Sequence, residues 1–342
     1  MAVSKVLQNL LQKNFKDSVQ VSRVSEDLRG KVIVLYGGNN VGKTTQAAKF
    51  KNPIFLPVEK GLNATNGAMA LKTSNWSDLK KNAKKLASKD FVDLLKSGEQ
   101  ITIVIDGIER IGTYCKNYLC AKYDVNTIGE ANKGFGAWEE YDNLVWTWVD
   151  GIIGLGYTVV FIGHEKMSKD KEKFIIAGDE RNIKPIRDNA DIVCYIKSNG
   201  IDENGKVVKS SAYLAETDEY FARTRFTYMD TEITPFTAEN LEKTVIEGIK
   251  KQNKAEGFEA VSFEEQQKVY GDDEENYDDV VQQLKDLYIK MKDHDMIDSY
   301  AEIVKEHLGE DTKVSETTPK QLEALLCIRD DIQSKLDEIS EE

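Results

Sequence analysis

The run GGNNVGKT at residues 37–44 constrains the fold of this chain more than any other feature. It satisfies the pattern G-x-x-x-x-G-K-[ST], follows the apolar run KVIVLY and precedes TTQAAKF, which is compatible with a helix. Glycines in such a loop let backbone N–H groups face phosphate oxygens, and the lysine neutralises their charge. The run therefore predicts a phosphate-binding loop between a buried strand and a helix. The alternative is a glycine-rich turn that contains Lys-Thr by chance.

This loop and a later acidic strand end together predict a site for ATP with Mg²⁺. We expect Lys43 to neutralise the β- and γ-phosphates and Thr44 to coordinate the metal. Asp106 ends the apolar run IVID, and a carboxylate at the end of a strand that follows such a loop is expected to be the second metal-side ligand. The predicted nucleotide-binding residues are Gly37, Gly38, Asn39, Asn40, Val41, Gly42, Lys43, Thr44 and Thr45.

Short apolar runs along the body of the chain predict the fold class. Runs that are almost continuously apolar are typical of strands covered on both faces, and the helical stretches between them imply right-handed crossovers in a parallel sheet. A helix at residues 138–153, a hairpin at 203–214 and a helix at 238–252 complete the predicted body. The predicted strands are residues 31–36, 54–58, 101–105, 158–162 and 192–196.

The charge of the chain, −13 overall, is divided unevenly. Residues 255–342 hold 26 acidic and 9 basic residues, a net charge of −17, which leaves +4 on residues 1–254. We therefore predict an N-terminal helix and lead-in segment at 1–30, an α/β core at 31–254, and an acidic linker with a small helical module at 255–342. The acidic part is a solvated surface, a competitor of nucleic acid, or a contact for a protein partner.

The chain lacks the features of a membrane or exported protein. It has no run of about 18 apolar residues, and the segment MAVSKVLQNLLQKNF lacks the apolar core and cleavage site of a signal peptide. Its four cysteines are scattered without metal-ligand spacing. These observations predict no membrane partner and a cytoplasmic location.

Hydrolysis of ATP requires a group that orients or deprotonates the attacking water. The residue after Asp106 is Gly107, so this group must come from another strand. Glu59 ends the second apolar run, where ligand sites of open α/β sheets form, and we expect it to be the catalytic base. Glu109 and Glu165 are its rivals. His164 follows the fourth run and is placed to sense the γ-phosphate, although a lone histidine is more often structural.

At these residues the chain resembles the RecA-like ATPases, and most closely the phage-encoded ATP-binding proteins of that fold that act in single-strand annealing and recombination. The resemblance covers about residues 30–230 and rests on four runs in order: YGGNNVGKTT, FLPVEKGLNA, IVIDGIERI and VVFIGHEK. It implies a RecA-like P-loop NTPase core with a mostly parallel sheet flanked by helices. It also implies that Lys43 binds phosphate, Glu59 activates water and His164 senses the γ-phosphate, in the cytoplasm of the host if the chain is phage-encoded.

The same resemblance implies partners. Members of this fold bind single-stranded DNA through the loops after the third and fourth strands, which correspond to residues 112–136 and 166–187 and which carry lysines, arginines and aromatic residues. The run ARTRF is similar to an element that reaches a neighbour's nucleotide, so Arg223 or Arg225 is expected to be a catalytic finger in a ring or filament of identical subunits. An exposed strand with two arginines is the alternative.

Three functions remain open at this point. The first is an ATPase that binds single-stranded DNA and promotes annealing or strand pairing in recombination or replication. The second is a nucleotide-dependent loader or regulator that acts on a replication or recombination protein through the acidic C-terminal part. The third is a structural oligomer that binds ATP without hydrolysing it.

Overall fold

The computed structural model describes residues 5–15, 19, 21–170, 172–270, 275–310 and 312–340. Contacts within the chain divide it into two compact units, Met1–Val269 and Tyr270–Glu342. Within the described residues, no helix is both long enough and apolar enough to span a membrane.

The first unit is built on a single ten-stranded sheet. Its strands are β1 (Val32–Gly37), β2 (Pro53–Pro57), β3 (Met69–Ala70), β4 (Thr102–Asp106), β5 (Thr158–Met167), β6 (Phe174–Ile176), β7 (Ile192–Lys197), β8 (Ser211–Tyr213), β9 (Arg223–Thr224) and β10 (Glu232–Ile233). The strand order is β10-β8-β7-β1-β5-β4-β2-β3, with β6 paired to β5 and β9 paired to β7. The neighbours from β7 to β3 are parallel, and the pairs that involve β6, β8, β9 and β10 are antiparallel.

Helices connect the strands and cover the sheet. They are α1 (Lys5–Phe15), α2 (Lys43–Ala47), α3 (Trp76–Leu86), α4 (Lys89–Lys96), α5 (Ile111–Tyr123), α6 (Trp138–Ile153), α7 (Glu180–Asn189), α8 (Ala238–Glu256) and α9 (Phe263–Gln267). Helix α6 has the bounds that the sequence predicts. The predicted hairpin is reduced to a bridge between Ile201 and Val207, and β8 then extends the sheet by pairing antiparallel with β7.

The apolar strands are explained by two hydrophobic layers. Side chains alternate along β1, so that Val34 and Tyr36 belong to the layer shared with α3, α5 and α6. Ile33 and Leu35 belong to the other layer, which includes the buried face of α8. A strand that is covered on both faces needs apolar residues at every position, and all six residues of β1 are buried.

The boundary of the first unit lies beyond the predicted one. Lys254 falls inside α8, and the residues that follow α8 contact the N-terminal lead-in of the same unit. Arg29 donates from Nη1 to Glu264 Oε1 at 2.5 Å, and Lys31 Nζ donates to Gln266 Oε1 at 3.1 Å. These contacts place α9, with its acidic residues, in the first unit.

The second unit consists of α10 (Tyr277–Asp293), α11 (Ile297–Leu308) and α12 (Leu322–Ser340). It has its own hydrophobic core, formed by residues such as Val280, Leu284 and Ile328 from α10 and α12. The predicted fold class is confirmed: an α/β core of P-loop ATPase type, with a mostly parallel sheet flanked by helices, is followed by a small C-terminal helical module.

Candidate nucleotide site

The predicted phosphate-binding loop joins β1 to α2. Asn40 and Gly42 take left-handed backbone conformations, with φ of 61° and 91°, so the loop curls back over the end of β1. A curled loop of this kind turns successive backbone N–H groups toward one concave space. Lys43 Nζ lies under the curl and donates to the carbonyl oxygens of Gly37, at 2.8 Å, and Gly38, at 2.6 Å. The lysine is therefore held within the loop whose bound phosphates it would neutralise.

The electrostatics of Lys43 follow from its position. Its side chain is buried, and burial lowers the pKa of the ammonium group. The carboxylates of Glu109, Asp106, Glu165 and Glu59 oppose this shift of the pKa. A buried ammonium group that faces several carboxylates keeps its charge close to the phosphate position.

The two predicted metal ligands meet across the sheet edge. Thr44 Oγ1 donates to Asp106 Oδ2 at 3.0 Å. Burial raises the pKa of Asp106, and the hydrogen bond from Thr44 acts in the opposite direction. A hydroxyl and a carboxylate oxygen are ligands of the kind that Mg²⁺ prefers.

Gly61 preserves the space beside this pair. A Cβ at position 61 would lie 2.3 Å from Asp106 Oδ2 and 3.4 Å from Thr44 Oγ1. Only glycine leaves the carboxylate accessible at this point, so the residues present fit a small hydrated cation. Sequence reasoning missed Gly61, for which the signal was a glycine two residues after Glu59.

Glu59 is anchored to the strand that ends in Asp106. The backbone N–H groups of Val58 and Glu59 both donate to Asp106 O, at 2.9 and 3.1 Å. Gly107 has φ of 97°, and a Cβ there would lie 2.2 Å from Glu59 Cγ. The side chain of Glu59 thus fills the space beside Gly107, which explains why the chain carries glycine at position 107.

Glu59 belongs to a three-residue cluster with Glu109 and His164. One ligand atom from each of these residues lies within 4.8 Å of the others. Glu109 Oε1 accepts a hydrogen bond from the backbone N–H of His164 and lies 3.3 Å from Nδ1 of the same histidine. Glu59 and Glu109 follow the ends of β2 and β4, and His164 lies within β5, so three different segments bring these side chains to one place beside Lys43 and Asp106.

The Glu109–His164 pair shifts the pKa of both partners. Burial alone would raise the pKa of Glu109, but hydrogen bonds from the ring and backbone of His164 outweigh it and hold the pKa below its ordinary value. The hydrogen bond to Glu109 in turn raises the pKa of His164. This pair occupies Glu109, whereas the one ion pair that Glu59 forms with a described residue is with Arg110 at 3.8 Å, which is beyond hydrogen-bonding distance.

Glu165, the other rival base, lies beside the phosphate-binding loop. A Cβ at Gly38 would be 3.2 Å from Glu165 Oε1. Its Oε2 is buried and has no hydrogen-bond partner among the described residues.

The two arginines of the run ARTRF lie away from this cluster. Arg225 N donates to Asp191 O at 2.9 Å, and Thr224 pairs with Ile192, the first residue of β7. Because β7 runs parallel to β1, Arg225 lies at the opposite sheet edge from the phosphate-binding loop. It cannot serve the site of its own chain, and a role at a neighbour's site stays a prediction.

Arg223 has a structural role that the sequence did not indicate. Its Nη2 donates to the carbonyl oxygens of Arg187, Asp188 and Ala190, at 2.9 to 3.0 Å. These carbonyls end helix α7, where no intrahelical donor is available. Arg223 therefore caps α7.

The two segments predicted as DNA-binding loops are in large part helix and strand, so the expectation that they are loops was wrong there, and their binding of DNA stays a prediction. Residues 111–123 form α5, in which Gly112, Cys115 and Leu119 are buried. Residues 166–187 contain the end of β5, the strand β6 and most of α7. The loop prediction for residues 112–123 was wrong because the aromatic residues of α5 pack partly against the core.

Many basic side chains in these two segments already contact acids. Lys116 lies 2.7 Å from Asp179, and Lys122 lies 2.6 Å from Glu140. Lys173 with Glu216, Arg181 with Asp142, and Arg187 with Glu180 form further ion pairs. The positive charge of these segments is thus partly neutralised within the protein.

Comparison with known proteins agrees with the site geometry. A family described as "AAA domain" matches residues 29–226. The "SPbeta prophage-derived uncharacterized protein YorG" of Bacillus subtilis (strain 168) is 43% identical over 319 residues, which cover 93% of this chain and 98% of that protein. A solved ATPase from the type III secretion system of pathogenic bacteria is 10% identical to this chain. The match covers 92% of this chain and 88% of that ATPase, and its TM-score of 0.34 is too low to support a conclusion.

Proposed function

We propose that this chain, which belongs to the family of AAA domains, is a Mg²⁺-dependent ATP hydrolase that works on single-stranded DNA in phage-type recombination or replication. The observation that carries the hydrolase proposal is the convergence of Glu59, Glu109 and His164, within 4.8 Å of one another, beside the phosphate-binding lysine. A protein that only binds ATP has no need of this cluster.

Binding of the triphosphate is assigned to the loop between β1 and α2. Backbone N–H groups of the curled loop donate to phosphate oxygens, and the ammonium group of Lys43, which is held within the loop, neutralises the charge of the phosphates. Thr44 and Asp106 would hold Mg²⁺, since their oxygens lie 3.0 Å apart at the site that Gly61 keeps accessible. When bound, Mg²⁺ supplies positive charge for the phosphate oxygens.

Activation of the attacking water is assigned to Glu59. Its carboxylate accepts the proton while the water oxygen forms a bond to the γ-phosphorus and the bond from that phosphorus to the bridging oxygen breaks. Of the two carboxylates in the cluster, Glu109 is already engaged by His164, and Glu59 is the one free to accept a proton. Glu109 then acts as a positioning residue for His164.

His164 is assigned to the terminal phosphate. The hydrogen bond to Glu109 involves Nδ1 and raises the pKa of the ring, which favours the doubly protonated form. In that form Nε2 remains available to donate to a γ-phosphate oxygen. The position of His164 in β5 would then depend on whether the γ-phosphate is present.

Two observations support single-stranded DNA as the substrate that the ATPase acts on. The 43% identical relative is prophage-derived by name, which fits a role in phage DNA metabolism. The four ordered runs around the site also resemble those of phage annealing ATPases. The test is steady-state phosphate release by the full chain, with and without single-stranded DNA, and we expect the DNA to increase turnover.

The acidic C-terminal unit supports a second candidate function, a nucleotide-dependent loader or regulator. This unit has a hydrophobic core of its own, as expected of a docking module for another protein. If ATP hydrolysis ignores single-stranded DNA but rises with a replication or recombination protein, and if that response needs residues 270–342, the second function replaces the first.

A further inference from the structure

Helix α3 carries four lysines that form no ion pair within the described part of the chain. Lys80, Lys81, Lys84 and Lys85 are all exposed. Residues 72–96, which include them, hold seven lysines and three aspartates, a net charge of +4. No ion pair in the described residues neutralises the four lysines of α3, whereas several basic side chains of the two predicted loops contact acids.

The four lysines form two rows. Residues four apart on a helix are neighbours, about 5–6 Å apart between Cβ atoms, so Lys80 lies beside Lys84 and Lys81 beside Lys85. Rows of this spacing suit successive phosphates of a strand laid along the helix. We call these four residues the lysine rows.

A groove runs between α3 and α6, along one side of the lysine rows. Its volume is about 680 Å³, enough for a drug-sized or base-sized group. Lys80 and Lys84 line it from α3, and Glu139 and Glu140 line it from α6. Apolar side chains that line it include Trp76, Ala83, Leu144 and Trp148. We call it the α3–α6 groove.

One donor in the lining of this groove has no acceptor. Trp76 is 2% exposed, and its Nε1 has no hydrogen-bond partner among the described residues. The neighbouring Trp148 satisfies its own Nε1 by donating to Leu79 O at 3.2 Å. This N–H is itself buried, so Trp76 lines the groove as an apolar surface.

Exposed aromatic rings lie at the rim. Phe135 is 90% exposed and sits beside Gly136, which lines the groove. The turn that carries it is fixed by left-handed conformations at Asn132 and Lys133, with φ of 51° and 60°, and by a 2.9 Å hydrogen bond from Asn132 Nδ2 to Gly136 O. Tyr118 is 37% exposed, and Nζ of the groove-lining Lys80 lies 5.4 Å from its ring centroid.

We propose that the lysine rows and the α3–α6 groove bind single-stranded nucleic acid. Phosphates contact the lysine rows, and unstacked bases enter the groove or stack on Phe135. A mixture of aromatic rings and unpaired cations is what single strands require, whereas the bases of a duplex are stacked and cannot enter a groove. This inference rests on the proposed function, because it locates the DNA surface of the same ATPase.

The acids of the groove do not cancel this charge. Glu140 is already paired, with Lys122 Nζ and with the hydroxyl of Tyr123, each at 2.6 Å. Glu139 alone among the lining acids forms no ion pair in the described residues. Its carboxylate repels a passing phosphate, and Glu139→Gln should therefore tighten binding.

The test is equilibrium binding of a labelled oligothymidine to the full chain at several salt concentrations, followed by fluorescence anisotropy. Alanine at all four positions of the lysine rows should weaken binding and reduce the slope of log affinity against log salt by roughly 0.7 for each lost phosphate contact. The helix should persist, because alanine is the strongest helix former. Phe135→Ala should weaken binding by between about fivefold and a hundredfold while the slope is unchanged.

The control is Lys173→Ala with Arg187→Ala, which removes two ion-paired basic residues of the second predicted loop, whose acidic partners do not line the groove, and should preserve affinity. If this control loses binding and the variant without the lysine rows does not, the surface is wrong and the DNA-dependent ATPase stands. If the wild-type chain hydrolyses ATP but binds no oligothymidine, both the surface and the DNA part of the proposed function are wrong. Carbodiimide crosslinks in the DNA-bound protein from the lysine rows to acids of residues 270–342 would instead identify an acidic segment of the chain as the occupant.

Discussion

Replacement of Glu59 by glutamine removes the proposed proton acceptor while preserving the shape of the side chain. The stability of the protein should hardly change, because the contact with Arg110 is 3.8 Å long and the arginine side chain is 61% exposed. Exposed pairs of this kind contribute about 0–1 kcal/mol. Loss of a general base, in contrast, lowers the rate by about 10²–10⁴-fold. That range corresponds to roughly 2.7–5.4 kcal/mol of activation free energy, so the chemical effect exceeds the structural one.

The assay combines phosphate release at saturating Mg²⁺ and ATP with equilibrium binding of a fluorescent ATP analogue. Glu59→Gln should bind the analogue as the wild-type protein does and lose turnover by at least about a hundredfold. Glu99→Gln is the matched control, because Glu99 is exposed and precedes β4 at the opposite sheet edge. Normal turnover in Glu59→Gln, together with a hundredfold loss in Glu109→Gln, would refute the assignment of the base.

Three further predictions test neighbouring parts of the site. Asp106→Asn should remove the dependence of turnover on Mg²⁺ together with most of the turnover, and an unchanged response in a Mg²⁺ titration of phosphate release would contradict this. Glu109→Gln should lower the pKa of His164 toward about 6.5 in an NMR titration of the three histidines, because the hydrogen bond to Glu109 raises that pKa. The stability that this bond contributes is fully present below about pH 6.5 and is lost as the pH rises through the raised pKa of His164. Arg223→Ala should reduce the free energy of unfolding by about 1–3 kcal/mol, since the carbonyl oxygens of Arg187 and Ala190 lose this donor. Arg225→Ala should change it by less than about 1 kcal/mol, because its side chain is 52% exposed and Asp188 O, to which it donates, keeps Arg223 as a donor; equal shifts in melting temperature would contradict the capping role.

The parallel sheet was predictable because its signal is local and repeated. Each predicted strand overlaps an observed strand, and helix α6 has its predicted bounds, because strands buried on both faces and amphipathic helices leave strong patterns in sequence. The phosphate-binding loop and Asp106 were predictable for the same reason, since each is a short motif at a strand end.

The rest of the site depends on contacts between distant segments. The hydrogen bond between Glu109 and His164 and the space that Gly61 preserves beside Asp106 join residues from different crossovers. No spacing rule in a single sequence predicts such meetings. The predicted loop at residues 112–136 was wrong in its first half for a different reason: the mixed lysine and tyrosine pattern of residues 112–123 was interpreted as a loop, whereas it belongs to a half-buried helix.

The capping role of Arg223 was hidden by the same kind of ambiguity. An arginine next to a short strand has the same local sequence whether it reaches another subunit or a helix end in its own chain. Only the pairing of β9 with β7 brings Arg223 to the carbonyls of α7. The side of the sheet on which a residue lies is a property of topology, and topology was predicted only for the parallel strands.

The most direct test of the central claim is phosphate release from ATP by the purified full chain, with Mg²⁺ or with excess EDTA, compared among three proteins. The wild-type protein and Lys49→Ala, which changes an exposed lysine at the end of the α2 segment, should hydrolyse ATP only with Mg²⁺. Lys43→Ala should fall to the background rate while it still unfolds cooperatively as a folded protein, because the phosphates lose the ammonium group held under the loop. Hydrolysis by Lys43→Ala at the wild-type rate would contradict the account.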